Sequence, residues 1–234
     1  MSKLNEMALT ADLVAMVERT EPDPGPPAGM VMPTEEELRQ RAEAFVALRP
    51  AGPLWLFAYG SLIWKPETDH VEARPALIRG WHRRFCLRLT RWRGTPEQPG
   101  LMMALDRGGS CVGMAYRLVD DDPVDQVTRL LIRETDGTPS TNVPHWVTLS
   151  TADGPVTAMT FVASPRGANY AGRLSMEDVA GSLARAAGHW GSCAQYLFNT
   201  VSMLESCGIR DRNLWALQAM VAEEIRRNHL REAA

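Results

Sequence analysis

Residues 55–62, which read WLFAYGSL, constrain the fold more than any other part of the sequence. Apolar and aromatic residues run from Trp55 to Tyr59 and predict a buried β-strand, which leads directly into Gly60 and Ser61. Gly60 permits a positive φ, so we expect a tight loop whose backbone N–H groups point in one direction. Such a loop can bind an anion or a developing oxyanion without a charged side chain. An ordinary turn after a strand explains the same residues, so both interpretations stand at this point.

The composition is typical of a globular protein. The 234 residues are 45% hydrophobic and 23% charged, which allows a sizeable core. A formal net charge of −3 argues against a general polyanion binder. No apolar run approaches the roughly 20 residues of a membrane span, and residues 1–6 lack the basic and apolar parts of a secretory signal. We therefore expect a cytoplasmic protein without a membrane or nucleic-acid partner.

The cysteines and histidines form no pattern that is typical of a metal site. None of the four cysteines pairs as C-x-x-C, and the five histidines are scattered singly. We expect reduced thiols, no metal and no cofactor. The cysteines are Cys86, Cys111, Cys193 and Cys207.

The first fifty residues differ in character from the rest. A short helix is predicted over residues 10–18, followed by a proline-rich linker that ends near Pro33. Thr34 and Glu37 form a capping box that opens a second helix. We expect residues 1–50 to be a helical extension of a domain that spans residues 51–234.

In that domain, strands are predicted first and helices last, with one helix inserted over residues 122–134. This order is typical of an α+β fold with a small, mostly antiparallel sheet or barrel and a helical flank. A bulge is expected at Gly80, a hairpin turn over residues 106–110, and helices after Ser175. The further strands are predicted over residues 76–87, 101–105, 111–118, 145–149 and 156–162.

Glu134 ends the apolar face of the inserted helix. Val127, Leu131 and Glu134 are spaced i, i+4, i+7 and therefore share a face. Burial and the negative end of the helix dipole both raise the pKa of a carboxyl placed there, which suits a general acid or base. The alternative is that the helix frays and Glu134 turns to solvent or pairs with an arginine.

Other candidates carry weaker signals. Ser61 does not lie in the G-x-S-x-G motif of a serine nucleophile. A stretch rich in arginine and aromatic residues resembles an RNA-binding strip, but the solvent face of an alternating strand explains it better. It contains Arg79, Arg83, Arg84, Arg88, Arg91 and Arg93 with Trp81, Phe85 and Trp92.

Several separated stretches resemble the ChaC family of γ-glutamylcyclotransferases, which act on glutathione. The resemblance covers residues 54–220, and the order and spacing of its motifs are specific. One departure is Thr138, which stands where the family usually has tyrosine. The matching stretches are residues 57–66, 79–85, 93–100, 113–117, Arg133-Glu134, Asn169-Tyr170, 195–199 and 207–211.

The resemblance implies a small β-barrel flanked by helices. It also implies cleavage of glutathione by cyclisation of its γ-glutamyl group, which yields 5-oxoproline and Cys-Gly without a cofactor. Cyclisation of other γ-glutamyl-amino acids or γ-glutamylamines is the alternative, and a non-catalytic RNA-binding module is a second one. Nothing in the sequence selects an oligomeric state. The implied catalytic residue is Glu134, and the implied substrate-binding residues are Tyr59, Gly60, Ser61, Leu62, Tyr170 and Tyr196.

Overall fold

A computed structural model describes residues 6–119 and 121–232. The chain divides into two compact units: residues 28–87 with 103–172, and the described parts of residues 1–27 and 173–234 with 88–102. The predicted extension, residues 1–50, contributes to both units, and its boundary at residue 50 stays a prediction. Residues 1–5, most of the segment from which we inferred no secretory signal, lie outside the described residues.

The first unit is built on a closed barrel. Its strands neighbour one another in the order β1, β3, β2, β4, β5, and β3 and β5 also pair. Pairing is antiparallel between β1 and β3 and between β4 and β5, whereas β1 and β5 meet in parallel at Leu56 and Met159. The expected α+β fold with a small barrel is confirmed. The strands are β1 (Trp55–Ala58), β2 (His70–Leu89), β3 (Gly100–Leu118), β4 (Asn142–Thr151) and β5 (Gly154–Ala163).

Strand β1 lies between β3 and β5 in the barrel. All its residues are buried, which explains why it reads as an unbroken apolar run and not as an alternating one. Phe57, Leu149, Met159 and Phe161 are each at most 1% exposed and form part of the core. The strand therefore delivers residues 59–62 from a rigid position.

The predicted hairpin turn over residues 106–110 is wrong, because β3 continues through all of them. Gly108 and Gly109 have φ angles of 99° and 67°, and the carbonyl of Gly108 lies 2.9 Å from Nδ1 of His82 on β2. The glycine pair therefore bends a long strand and does not reverse the chain. Gly80 on β2 also has a positive φ, 80°, as the predicted bulge requires.

The two longer helices of the barrel unit begin where helices are predicted, and each has a side-chain cap. The Thr34 capping box opens α2 (Glu35–Ala47), and Asp122 accepts hydrogen bonds from two backbone N–H groups at the start of α4 (Pro123–Glu134). Helix α2 packs on α4, and Phe45 stacks on Trp146 of β4 with ring centroids 4.6 Å apart.

The other unit is mainly helical. Its long helices α6 and α7 pack on each other and on α5, and Leu183, Leu197 and Val221 lie in its core. The barrel strands precede the last helices, as predicted, but a short strand pair lies between α5 and α6 and a one-turn helix follows β1. Within residues 6–119 and 121–232, no helix combines the length and the apolar character that crossing a membrane demands. The elements are α1 (Ala11–Val17), α5 (Met176–Leu183), β6 (Ala187–Gly188), β7 (Gly191–Ser192), α6 (Cys193–Ser206) and α7 (Arg212–Glu232).

Candidate active site

The backbone after β1 turns directly into a one-turn helix, α3 (Ser61–Trp64). Gly60 has φ −146° and ψ −111°, so the predicted positive φ is wrong. The change of direction lies in ψ, whose value belongs to neither the helical nor the extended range. The N–H of Ile63 then donates to the carbonyl of Gly60 at 2.9 Å. The loop is as tight as the sequence suggested, but its geometry differs.

Arg83 on β2 supports this loop from inside the barrel unit. It is 9% exposed, and its Nε donates to the carbonyl of Tyr59 at 2.7 Å. A second donor of the same guanidinium bonds the carbonyl of Val112 on β3. The interpretation of Arg83 as a solvent-facing residue is therefore wrong. The change in backbone direction at Gly80 accounts for this, because buried positions are even-numbered before it, at Ala76 and Ile78, and mainly odd-numbered after it.

Other arginines of the same stretch also have partners. Arg84 pairs with Asp106 at 2.7 Å in the barrel unit. In the helical unit, Arg91 pairs with Asp23 at 2.6 Å and Arg93 donates to Gln195 at 3.0 Å. Because these guanidiniums donate to groups within the protein, they do not form a row of free arginines that could bind phosphates.

Arg133, the penultimate residue of α4, links the loop to Glu134. Its Nη2 donates to Oγ of Ser61 at 3.2 Å, and its Nη1 donates to Glu67 at 2.7 Å and to the carbonyl of Lys65. Its Nε lies 3.4 Å from Oε1 of Glu134. The helix end thus places one guanidinium between the loop hydroxyl and two carboxylates.

Glu134 is the last residue of α4, and its side chain is 11% exposed. Asn142, the first residue of β4, donates from Nδ2 to Oε2 of Glu134 at 3.0 Å and to its carbonyl at 3.4 Å. Oε2 of Glu134 therefore accepts a hydrogen bond, whereas Oε1 takes part in the ion pair with Arg133. The carboxyl of Glu134 is buried, as the helix periodicity predicts. It also pairs with an arginine, Arg133, as the alternative interpretation predicts.

Burial raises the pKa of Glu134 above its ordinary value. The charge of Arg133 and the hydrogen bond from Asn142 lower the pKa, and the charge of Glu67 raises it again, but burial is the largest of these effects. A raised pKa makes a carboxylate a better proton acceptor than an ordinary glutamate side chain. The arrangement is suited to general acid–base chemistry.

The connection from α4 to β4 is held by Asp136, which is 5% exposed. Its Oδ1 accepts from the N–H of Thr141 at 2.7 Å, and its Oδ2 accepts from Nδ2 of Asn169 at 2.9 Å. These bonds fold residues 135–141 so that Asn142 returns to the end of α4. They give the Asn169-Tyr170 motif a role in the structure that the sequence did not reveal.

The two tyrosines proposed as substrate contacts lie in different units. Tyr170, in the barrel unit, donates its hydroxyl to Asp106 at 3.1 Å, and burial followed by this bond raises its pKa. Tyr196 lies on α6 in the helical unit, with the guanidinium of Arg93 5.7 Å from its ring centroid. The structure joins Ser61 to Glu134 through Arg133, whereas both tyrosine assignments stay predictions.

The sequence reasoning missed the residues that hold Glu134 and the loop in place. The sequence motif Arg133-Glu134 was recognised, but no local pattern indicated that Arg133 contacts both Ser61 and Glu134. Within residues 6–119 and 121–232, no group of three His, Cys, Asp or Glu side chains is arranged to hold a metal ion. The missed residues are Glu67, Arg83, Arg133, Asp136 and Asn142.

Comparison with solved structures defines the class of fold. A crystal structure of a yeast γ-glutamyl cyclotransferase specific to glutathione matches with a TM-score of 0.67 at 21% identity, over 74% of this chain and 97% of that one. The barrel and its flanking helices therefore have the γ-glutamylcyclotransferase fold.

The family follows from the sequence. The model of the ChaC-like protein family matches residues 54–224, and the chain belongs to this family. The glutathione-specific γ-glutamylcyclotransferase of Escherichia coli is 39% identical over 187 residues, which are 79% of this chain and 80% of that protein. The mouse glutathione-specific γ-glutamylcyclotransferase 1 is 32% identical over 169 residues, 70% of this chain and 76% of that protein.

Proposed function

We propose that the protein cleaves glutathione by cyclising its γ-glutamyl group, with Glu134 as the general acid and base. The observation that carries this proposal is the buried carboxyl of Glu134, joined through Arg133 to the loop hydroxyl of Ser61. The substrate class is supported by the E. coli and mouse relatives, whose names specify glutathione. The enzyme is a γ-glutamylcyclotransferase of the lyase type.

The reaction needs no external nucleophile. The α-ammonium of the γ-glutamyl group gives a proton to the carboxylate of Glu134, and the free amine attacks the γ-carbonyl carbon of the same group. The bond from that carbon to the cysteine nitrogen then breaks, and Glu134 returns its proton to the leaving nitrogen. The ring nitrogen, which still carries two hydrogens, gives one of them up, and the released amine takes up a proton and leaves as an ammonium group. The products are 5-oxoproline and Cys-Gly, and no water is consumed.

The protein must also hold the substrate in a bent form. Orientation of this kind contributes a large part of the rate of an intramolecular reaction. We infer that residues 59–62 hold the negatively charged groups of the substrate through their backbone N–H groups, and that Ser61 serves through its size and backbone and not as a nucleophile. Arg83 and Arg133 keep this loop at a fixed position relative to Glu134.

The alternative substrates are other γ-glutamyl-amino acids or γ-glutamylamines, which undergo the same cyclisation. Thr138 is the reason to retain this alternative, because it replaces a tyrosine of the family pattern. Its hydroxyl accepts from Arg41 of α2 at 3.2 Å. An RNA-binding role has less support, because Arg83, Arg84, Arg91 and Arg93 have partners within the protein. We further propose a cytoplasmic location, where the free thiols of Cys86, Cys111, Cys193 and Cys207 stay reduced.

The test is release of 5-oxoproline from reduced glutathione, with wild type beside Glu134→Gln. We expect the variant to fold and its kcat to fall by roughly 10²- to 10⁴-fold, because the acid–base group is lost while the shape of the side chain is kept. Wild-type turnover in purified Glu134→Gln would remove Glu134 from the mechanism. γ-Glutamyl-alanine is assayed in parallel, and equal kcat/KM for both compounds would contradict specificity for glutathione.

A further inference from the structure

The side chain of Asn142 is buried beside Glu134, and only one of its two polar atoms has a hydrogen-bond partner in the described part of the chain. It is 2% exposed, and its Nδ2 donates both to Oε2 of Glu134 at 3.0 Å and to the Glu134 carbonyl at 3.4 Å. Its Oδ1 is buried as well, and it has no hydrogen-bond partner in the described part of the chain. A buried acceptor without a donor is costly, so this oxygen calls for an explanation.

The two states of Glu134 supply that explanation. An ionised carboxylate only accepts hydrogen bonds, whereas a protonated carboxyl group also donates one. The amide of Asn142 carries a donor and an acceptor at the same position, and a half-turn of the amide exchanges them. After such a half-turn Oδ1 can accept from a protonated Glu134, while Nδ2 gives up its bonds to Oε2 and to the carbonyl of Glu134.

We propose that Asn142 is the positioning residue that holds Glu134 in both of its charge states. Its Nδ2 donates to the carboxylate before the proton is taken up, and its Oδ1 accepts from the carboxylic acid afterwards. The inference rests on the proposed function, in which Glu134 passes through both states in every turnover.

The backbone of Asn142 is fixed, so the exchange involves the side chain alone. The residue pairs with Ala163 of β5 at the first position of β4, and its carbonyl accepts from the hydroxyl of Ser140 at 2.7 Å. Asp136 fixes the preceding residues through its bond from the N–H of Thr141. This framework keeps the amide at one distance from Glu134 in either orientation.

The other charged groups around Glu134 have different tasks. Arg133 on the same helix contacts Oε1, while Glu67 and Lys65, in the segment after α3, form an ion pair at 3.6 Å. Arg41, on the packed helix α2, contacts Thr138. Arg133 is always charged and can only donate, so it cannot serve the protonated carboxyl as an acceptor.

The first measurement uses the wild-type protein. Side-chain amide signals of 15N-labelled asparagine are followed by NMR from about pH 4 to about pH 9, a range that covers a carboxyl with a raised pKa. We expect the Asn142 amide signal to shift with pH and to stay constant in Glu134→Gln. A signal that does not move in the wild type overturns the inference, whatever the activity of Glu134→Gln shows about the proposed function.

The second measurement compares pH profiles of kcat/KM for Asn142→Leu and Asn142→Asp with the wild type. Loss of the donor disfavours the charged form of Glu134, so the acid limb should move to higher pH in Asn142→Leu, and further in Asn142→Asp, where a like charge is added. The rate should fall roughly 10- to 100-fold, as expected for one hydrogen bond to a charged group. Equal losses at every pH, with the limb unmoved, would assign Asn142 a purely structural role and overturn the inference.

Gln126→Leu is the matched control. Gln126 lies on the same helix as Glu134, is 2% exposed, donates to the carbonyl of Val119 at 3.0 Å and has an Oε1 without a partner in the described part of the chain. The substitution removes an equally buried amide that does not contact Glu134, so the acid limb should stay in place. A shift as large as that of Asn142→Leu would show a general effect of packing and would overturn the inference.

Discussion

At the scale of single residues, buried cations hold the site together. Arg83 bonds the carbonyls of Tyr59 and Val112, and Arg133 joins Ser61, Glu67 and Glu134. Both guanidiniums offer several donors in a fixed plane, which lysine cannot reproduce. The chemistry assigned to Glu134 therefore depends on residues that themselves do not react.

Arg83→Met tests this dependence. The substitution keeps an unbranched side chain but leaves the buried carbonyl of Tyr59 without its donor, which costs about 1–3 kcal/mol. We expect the free energy of unfolding to fall in urea titrations because the bonds of Arg83 to the carbonyls of Tyr59 and Val112 are lost, and KM for glutathione to rise because the loop loses its support. Arg79→Met on the same strand is the control, since Arg79 is exposed. If both substitutions had the same effect, Arg83 would have no special part in holding the loop.

Glu134 and Asn142 show how much of the site could be predicted from the sequence. Glu134 was identified because helix periodicity places it on a buried face, and that burial is observed. Asn142 was not, because its contact with Glu134 depends on the course of residues 135–141 around Asp136. That course is set by a bond to Asn169, which lies far along the chain and shows no local pattern.

At the scale of elements, the site lies where three element ends meet: the end of β1, the end of α4 and the start of β4. Local signals predicted the helix starts well, because the capping side chains of Thr34 and Asp122 act within one turn. They failed in β3, where Gly108 and Gly109 resemble a turn. The neighbouring strand β2 keeps the chain extended there, and a residue pattern within one strand does not contain that information.

Gly113→Ala tests how closely β1 and β3 approach. An added Cβ would lie 2.5 Å from the carbonyl oxygen of Ala58 and 2.8 Å from the ring of Phe57, so either the backbone or the ring must move. We expect a loss of about 1–3 kcal/mol in the free energy of unfolding, measured with urea, and reduced turnover because Ala58 precedes Tyr59. Ser110→Ala, at an exposed position of the same strand, should change neither. Unaltered stability of Gly113→Ala would mean that the strands are not packed this tightly.

At the scale of the whole molecule, the site is expected to lower stability at neutral pH. The pKa of Glu134 in the folded protein is raised above 4.5, its ordinary value, chiefly by burial. Between the unfolded and the folded pKa, the folded state binds more protons than the unfolded state, so stability falls as pH rises through this window. Below the window the effect is absent, and above it the loss is complete.

The pH dependence of unfolding checks this linkage. As pH rises from about 4.5, the free energy of unfolding of the wild type should fall relative to that of Glu134→Gln. The difference should level off above the folded pKa. Urea titrations at a series of pH values measure it. If the wild type instead became more stable relative to Glu134→Gln over this range, the folded state would lower the pKa of Glu134.

In the proposed cyclisation the nucleophile belongs to the substrate and water takes no part. This is tested by the reaction of glutathione in water enriched in 18O, with mass analysis of the products. We expect unlabelled 5-oxoproline and Cys-Gly in equal amounts. Release of glutamate that carries one 18O atom would show hydrolysis by water and would rule out cyclisation as the route.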